Sequence, residues 1–180
     1  PNDSQHVFIS SMGSTTNNNS VSTGGLLEIK EDQIVNFYNQ NNSALEEIPG
    51  QGTTVTIRVT GTTFDREGNL WVANIGVDEK LKKLTPSGQW QSINIDEIIT
   101  IIKFGLGEMV IDKTNSIWIA SRRNGALVYN ENGDRKRALL TEPTKGSLPN
   151  LNTRTIAVDA NNKIWIGTLT GLVVFNNAAG

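Results

Sequence analysis

The stretch Phe64-Asp65-Arg66-Glu67-Gly68-Asn69-Leu70-Trp71-Val72-Ala73 returns twice in the same register. Its copies are Val110-Ile111-Asp112-Lys113-Thr114-Asn115-Ser116-Ile117-Trp118-Ile119-Ala120 and Ala157-Val158-Asp159-Ala160-Asn161-Asn162-Lys163-Ile164-Trp165-Ile166-Gly167. Asp65, Asp112 and Asp159 are 47 residues apart (112 − 65 = 159 − 112 = 47), and Trp71, Trp118 and Trp165 keep the same interval. A period of about 40 to 50 residues, with two short apolar runs joined by a polar turn and a Trp in the second run, is the pattern of a β-propeller blade. Glycine and asparagine recur in the turns because hairpin connections need positive φ, which these residues adopt at least cost.

The period organises the rest of the chain. His6-Val7-Phe8-Ile9-Ser10-Ser11 matches the Trp-bearing strand with Phe8 in the Trp position. The interval from Phe8 to Trp71 exceeds one period, and the low-complexity stretch Ser14 to Gly25 reads as the inserted loop that accounts for the excess. With strands labelled A to D from the inside of a propeller outward, the chain reads BCD, ABCD, ABCD, ABC, or about fourteen strands. Third strands are expected at Leu26–Lys30, Leu81–Leu84, Ala126–Tyr129 and Leu172–Phe175. Fourth strands are expected at Gln33–Tyr38, Trp90–Ile95 and Arg137–Leu140. The alternating, β-branched run Thr53–Thr60 predicts the first A strand. Asp96–Gly107 is compatible with either a short helical turn or a bulged fourth strand.

These spans give an all-β fold class: a β-propeller segment of four-stranded antiparallel blades, about 3.5 of them, belonging to a larger propeller. The partition is a partial blade at 1–39, blades at about 53–95 and 108–140, and a partial blade at 152–177. The end blades are then expected to expose faces that other propeller sequence or a dimer partner covers. The three Trp side chains are expected to pack between blades.

Composition closes several functional routes. Net charge is −2, which supplies no field for nucleic acid or anionic lipid. Arg135-Lys136-Arg137 reads as a solvated strand edge, where basic residues discourage edge-to-edge aggregation. The longest apolar run, Ile98 to Leu106, is broken by Thr100, Lys103 and Gly105 and is far shorter than the roughly 18 residues of a membrane span. Without cysteine there is no disulfide, thiol nucleophile or thiolate metal site. Pro1 is not a natural start, so a removed leader is expected upstream.

Chemistry at the repeat is weighed against turn geometry. A single Asp per turn, without the alternating ligands and closing Glu of a calcium loop, shapes backbone better than it binds metal. His6 is the single histidine, so a multi-histidine metal site and two-histidine acid–base chemistry are excluded. Gly105-Leu106-Gly107 lacks the third glycine and the helix of a dinucleotide fingerprint and reads as a turn. No catalytic residue, metal or cofactor is expected.

What remains is the face carrying the B-to-C and D-to-A loops, where the copies differ. Asn74, Ser121 and Thr168 occupy one equivalent position, followed by Ile75, Arg122 and Leu169. Asn74, Asp78, Arg122, Arg123 and Thr168 are the candidate contact residues, and the Arg122-Arg123 pair suits carboxylate, phosphate or sugar hydroxyls.

Asp-x-x-Gly-Asn-Leu-Trp-Val at 65–72, Ile-Trp-Ile-Ala-Ser at 117–121, Ile-Trp-Ile-Gly-Thr-Leu-Thr-Gly-Leu at 164–172 and Gly146-Ser147-Leu148-Pro149-Asn150 resemble the two-component regulator propeller repeat of Bacteroidetes. The resemblance implies either a PorZ-type propeller component of the type IX secretion system or a periplasmic glycan-sensing module of a hybrid two-component system. Leu81-Lys82-Lys83-Leu84-Thr85-Pro86-Ser87-Gly88-Gln89-Trp90 and Gly171-Leu172-Val173-Val174-Phe175-Asn176-Asn177 resemble the former. The implied protein is periplasmic or at the cell surface, is not an enzyme, and binds a protein partner or a saccharide. It neither binds nucleic acid nor inserts in a membrane. A propeller lyase or lactonase is the enzyme alternative, and it needs a His or carboxylate cluster around a central metal.

Overall fold

Among the described residues, every regular element longer than a single turn is a strand. The computed structural model describes residues 6–12, 24–50, 56–99 and 105–176, and these contain fourteen strands and two single 3₁₀ turns. Two compact units are present, Pro1–Asn94 and Ile95–Gly180.

The first unit holds two antiparallel sheets. One has three strands, β1 (His6–Ser11), β2 (Gly25–Lys30) and β3 (Gln33–Tyr38); the other has four, β4 (Val59–Phe64), β5 (Leu70–Asn74), β6 (Leu81–Leu84) and β7 (Trp90–Ile93). Leu26, Leu70, Val72 and Leu84 meet in its buried core with Leu45, Ile57 and Val59. Phe8 packs edge-on against Phe64 at 5.7 Å and Tyr38 against Trp90 at 5.3 Å between ring centroids, a geometry that aromatic quadrupoles favour.

The second unit repeats the plan with the four-stranded sheet first: β8 (Leu106–Ile111), β9 (Ile117–Ser121), β10 (Ala126–Asn130) and β11 (Arg135–Leu139). The three-stranded sheet of β12 (Thr153–Val158), β13 (Ile164–Thr168) and β14 (Leu172–Phe175) follows. Trp118, Ala120, Ile156, Ile164 and Ile166 lie in the core between the two sheets. Polar staples supplement it. Glu108 Oε2 accepts from Thr155 Oγ1 at 2.6 Å and from the Ile156 amide at 3.2 Å, while Lys113 Nζ donates to the Ala160 carbonyl at 2.6 Å.

The expected strands are present with shifted ends. The first A strand runs Val59–Phe64 rather than Thr53–Thr60. Its register is set from the turn backward, Phe64 opposite Leu70 and Thr62 opposite Val72, so pairing and not β-propensity decides where it begins. Residues 53–55 of the expected strand, and 14–23 of the expected inserted loop, lie outside the described residues. β11 starts at Arg135, two residues before the expected Arg137, and β7 stops at Ile93. The ambiguous stretch opens with a 3₁₀ turn at Asp96–Ile98. Gly105-Leu106-Gly107 is no turn: Leu106 and Gly107 begin β8, with a register irregularity between Leu106 and Met109.

Trp71 and Trp118 are buried, as expected of packing residues, but Trp165 is 39% exposed. It pairs with Val174 on a face of the three-stranded sheet that also leaves Leu172 60% exposed. In the first unit, Val7, Ile9 and Ile34 of the β1–β3 sheet are likewise exposed.

Candidate functional site

The triplicated Asp and Trp form a clamp. Trp71 Nε1 donates to Asp65 Oδ2 at 2.8 Å, Trp118 to Asp112 at 2.9 Å and Trp165 to Asp159 at 3.2 Å. The other carboxylate oxygen accepts the amide four residues on, from Asn69 at 2.8 Å, Ser116 at 3.0 Å and Lys163 at 2.9 Å. Gly68, Asn115 and Asn162 take the positive φ that closes each turn, at 83°, 60° and 65°. Sequence reasoning gave each Asp a turn-shaping role; the indole bond went unread, although an Asp six residues before each Trp was its visible signal. Each carboxylate is thus committed to its own hairpin.

A second repeated device anchors the loops. The amides of Ile75, Arg122 and Leu169 donate to the carbonyls of Arg58, Gly105 and Asn152, each at 2.9 Å. These positions also lie one period apart, so the B-to-C loop is clasped to the start of strand A identically in three sheets. The side chains on this common backbone diverge: Ile75 is buried, Arg122 exposed, and Leu169 60% exposed.

The structure divides the sequence-nominated residues. Asn74 is fully buried and spent on backbone: its Oδ1 accepts the Glu46 amide at 2.6 Å and its Nδ2 donates to the Glu46 carbonyl at 3.2 Å. Thr168 Oγ1 donates to Gly171 O at 2.8 Å within its own turn. Asp78 is exposed and its carbonyl receives Lys80 Nζ at 3.0 Å. Arg122 and Arg123 are exposed, on a loop whose base is further held by Asn124 bonding to Ser121 Oγ at 3.2 Å. The two arginines are neighbours on one loop; of the other three candidates, Asn74 and Thr168 end β5 and β13, and Asp78 lies on the loop before β6.

Two clusters escaped sequence reasoning. In the first unit Glu28 collects three donors: His6 Nε2 at 2.7 Å on Oε1, and Asn36 Nδ2 and Tyr38 Oη, each at 2.7 Å, on Oε2. Burial alone would raise this carboxyl, but the three hydrogen bonds and the His6 charge outweigh it and hold its pKa below the ordinary carboxylate value. Burial and the adjoining Glu28 carboxylate push the Tyr38 hydroxyl up. These four residues come from three strands, β1, β2 and β3, and meet only through strand pairing, so no local motif announces them.

The other is a groove of about 490 Å³ in the second unit, between β11 and β14. Trp118, Val128 and Phe175 contribute its apolar part, Arg135, Arg137 and Lys145 its cationic part. Val128 pairs with both Trp118 and Arg137, so indole, isopropyl and guanidinium form one row across the sheet. Lys136, at the same edge, is engaged by Asp134 at 3.0 Å and Glu97 at 3.7 Å. The basic run read as a solvated edge does sit on the edge strand of its sheet, but it also borders this groove. Among the described residues no group of three or more His, Cys, Asp or Glu gathers as metal ligands, and no helix is long and apolar enough to cross a membrane.

Antiparallel sheets of up to four strands, stacked face to face and built on one repeat, define a β-propeller segment. Residues 147–170, which include β12 and β13, match the family described as two component regulator propeller. No curated protein sequence matches the chain. Among solved structures, PorZ, an essential bacterial surface component of the type IX secretion system of Porphyromonas gingivalis, matches 100% of the chain with TM-score 0.78 and 24% identity. The extracellular domains of two putative hybrid two-component systems from B. thetaiotaomicron each match 85%, with TM-scores of 0.61 and 0.59 and identities of 21% and 16%. The chain spans 24% of the PorZ chain and 19% of each of the other two. Likeness at these identities carries the fold; function has to come from the site.

Proposed function

We propose that this chain is a non-enzymatic propeller scaffold working outside the cytoplasmic membrane, in the periplasm or at the cell surface, as PorZ-type secretion components do. It binds a protein partner or a saccharide through its loop-bearing face. The observation that carries the reading is the Arg122-Arg123 pair. The same loop backbone, clasped in the same way, presents a buried Ile75 in one sheet and two exposed guanidinium groups in another. An anchored loop with adjacent arginines suits carboxylate or phosphate at low entropic cost, because the backbone is ordered before binding.

The location is supported by the surface and extracellular settings of the similar structures. A second reading, a glycan-sensing module of a hybrid two-component system, draws on the two B. thetaiotaomicron domains. The higher TM-score of PorZ favours the first.

The test is calorimetry against acidic and neutral glycans, beside Arg122→Ala and Arg123→Ala. Binding of an acidic glycan that drops at least tenfold in either variant supports the site. No binding by folded protein, or binding indifferent to both substitutions, removes it. Stoichiometric divalent metal surviving dialysis would count against the non-enzymatic assignment.

A further inference from the structure

The dipeptide Asn-Gly occurs twice in the chain, as Asn124-Gly125 and Asn132-Gly133, at the two ends of β10. It is a reactive pair. The peptide nitrogen of the glycine can attack the asparagine side-chain carbonyl and close a succinimide ring, because no Cβ shields that nitrogen. The reaction needs water at the carboxamide and freedom for the two groups to meet, and the fold treats the two sites oppositely.

Asn124 is fully buried. Its Nδ2 and its amide each donate to Ser121 Oγ at 3.2 Å, and the Gly125 amide donates to the Leu151 carbonyl at 3.0 Å. Electrophile and nucleophile are both held, and water is excluded. Asn132 lies in the turn Glu131–Asp134 between β10 and β11, which the Asp134 amide closes by donating to the Glu131 carbonyl at 3.1 Å. All four turn residues are exposed. Gly133 takes the positive φ, 81°, that the third position of such a turn calls for, and the nearest atom to a Cβ built there is Arg135 Cγ at 3.7 Å. The Asn132 backbone is engaged, its amide by Asn130 Oδ1 at 2.9 Å and its carbonyl by Arg135 Nε at 3.1 Å. Among the described residues, however, neither its carboxamide nor the Gly133 amide has a hydrogen-bond partner.

We propose that Asn132 is a self-modification site of the folded protein, converting to aspartate and isoaspartate through a succinimide closed by Gly133, while Asn124 is protected. The Gly133 peptide nitrogen loses its proton to a solvent base and bonds to Cγ of Asn132; the Cγ–Nδ2 bond breaks, and ammonia leaves with a proton taken from water. A water molecule then opens the ring. Cleavage at Cγ restores the normal main chain as aspartate, and cleavage at the main-chain carbonyl leaves isoaspartate. The peptide lone pair is delocalised, so attack requires the deprotonated nitrogen and the rate rises with pH. Either product adds one negative charge to a chain of net −2. Isoaspartate also lengthens the main chain of the turn by one carbon, beside the Asn130–Arg135 pair that ends the β10–β11 ladder. The turn lies at the other end of β10 from Arg122-Arg123, so the proposal does not rest on the loop-face reading.

The test ages the folded chain in mildly alkaline buffer and follows both asparagines by fragment mass spectrometry, with carboxyl methylation by an isoaspartyl methyltransferase to report the isomer. Asn132 should convert at least tenfold faster than Asn124, with isoaspartate among its products, and hydroxylamine should cleave the folded chain after Asn132 and spare Asn124. In urea the two sites should convert at similar rates. Gly133→Ala should slow Asn132 at least tenfold; the comparison of two sites in one chain keeps the test sound if that variant does not fold. Equal conversion of both sites in folded protein overturns the proposal. So does an Asn132 that stays intact when folded yet converts in urea, or conversion to aspartate with no isoaspartate.

Discussion

The indole Nε1 of Trp118 donates to Oδ2 of Asp112 at 2.9 Å, with Asp112 2% and Trp118 4% exposed. The same carboxylate accepts the Thr114 amide and hydroxyl, both at 2.7 Å, and the Ser116 amide at 3.0 Å. One buried side chain thereby closes the hairpin between β8 and β9 and fixes the orientation of the largest core residue in its unit. In Asp159 and Trp165 the same bond lies in a more exposed setting. Chemically identical clamps should therefore differ in energetic weight.

Asp112→Ala removes the acceptor from a buried indole and two amides, and should destabilise the protein by about 3 kcal/mol. Asp112→Asn keeps one oxygen and should lose less. Asp159→Ala should cost clearly less than Asp112→Ala, because water can replace the lost acceptor. Urea unfolding of the three variants decides it, and equal losses at both sites would contradict the burial argument.

Gly125 and Gly88 both have positive φ, 72° and 84°. A Cβ at Gly125 would overlap the Leu139 carbonyl oxygen, whereas nothing lies within 4 Å of one at Gly88. Gly88→Ala should therefore cost about 1 kcal/mol, the backbone penalty alone. Gly125→Ala adds a steric collision and should lose about 3 kcal/mol or more. Thermal unfolding of both variants separates the two contributions; similar shifts would sink the distinction.

The chain has two tyrosines, and both should ionise late. Burial, then the charges of Asp134 and Glu131, push the Tyr129 hydroxyl up to about 12, and burial with Glu28 raises Tyr38. Folding favours the protonated form of each. Their contribution to stability is complete below the unfolded value of about 10 and is lost as pH rises through the folded values. Ultraviolet titration of tyrosinate should show little ionisation at about pH 10 in folded protein and half-ionisation after denaturation. A normal titration of the native protein would refute both environments.

Glu28 predicts the opposite limb. Its pKa is lowered in the folded state, so its contribution is present above the ordinary carboxylate value and lost as pH falls through the folded one. Glu28→Gln should flatten the acid side of the stability profile and leave the alkaline loss from Tyr129 in place. An unchanged acid limb in that variant would show that the four-residue cluster carries no ionic stabilisation.

Much of the blade plan was legible because hairpin rules are local. An Asp before a tight turn, a Gly or Asn at the positive-φ position and period-two alternation each act over a few residues, and they place Asp65, Gly68 and Trp71 without knowledge of the fold. Strand ends were less legible, since β4 begins where β5 can pair with it and not where β-branched residues begin. The candidate contact residues sit on repeated hairpins but not in one environment. Asn74 spends its amide on Glu46, 28 residues away, while Arg122 and Arg123 at the corresponding loop stay exposed.

The 47-residue period by itself determined an all-β chain of repeated antiparallel sheets, and it assigned the recurring Asp to the turns. Tertiary structure decided which copies of a residue are buried, which donors converge on Glu28, and that Arg135 and Arg137 border a groove beside Trp118 and Phe175. The reason is the range of the forces involved. Turn closure and strand alternation are set by neighbours in sequence, whereas burial and electrostatic environment depend on which distant strands stack against each other, and the repeat is the same on every blade whatever it stacks against.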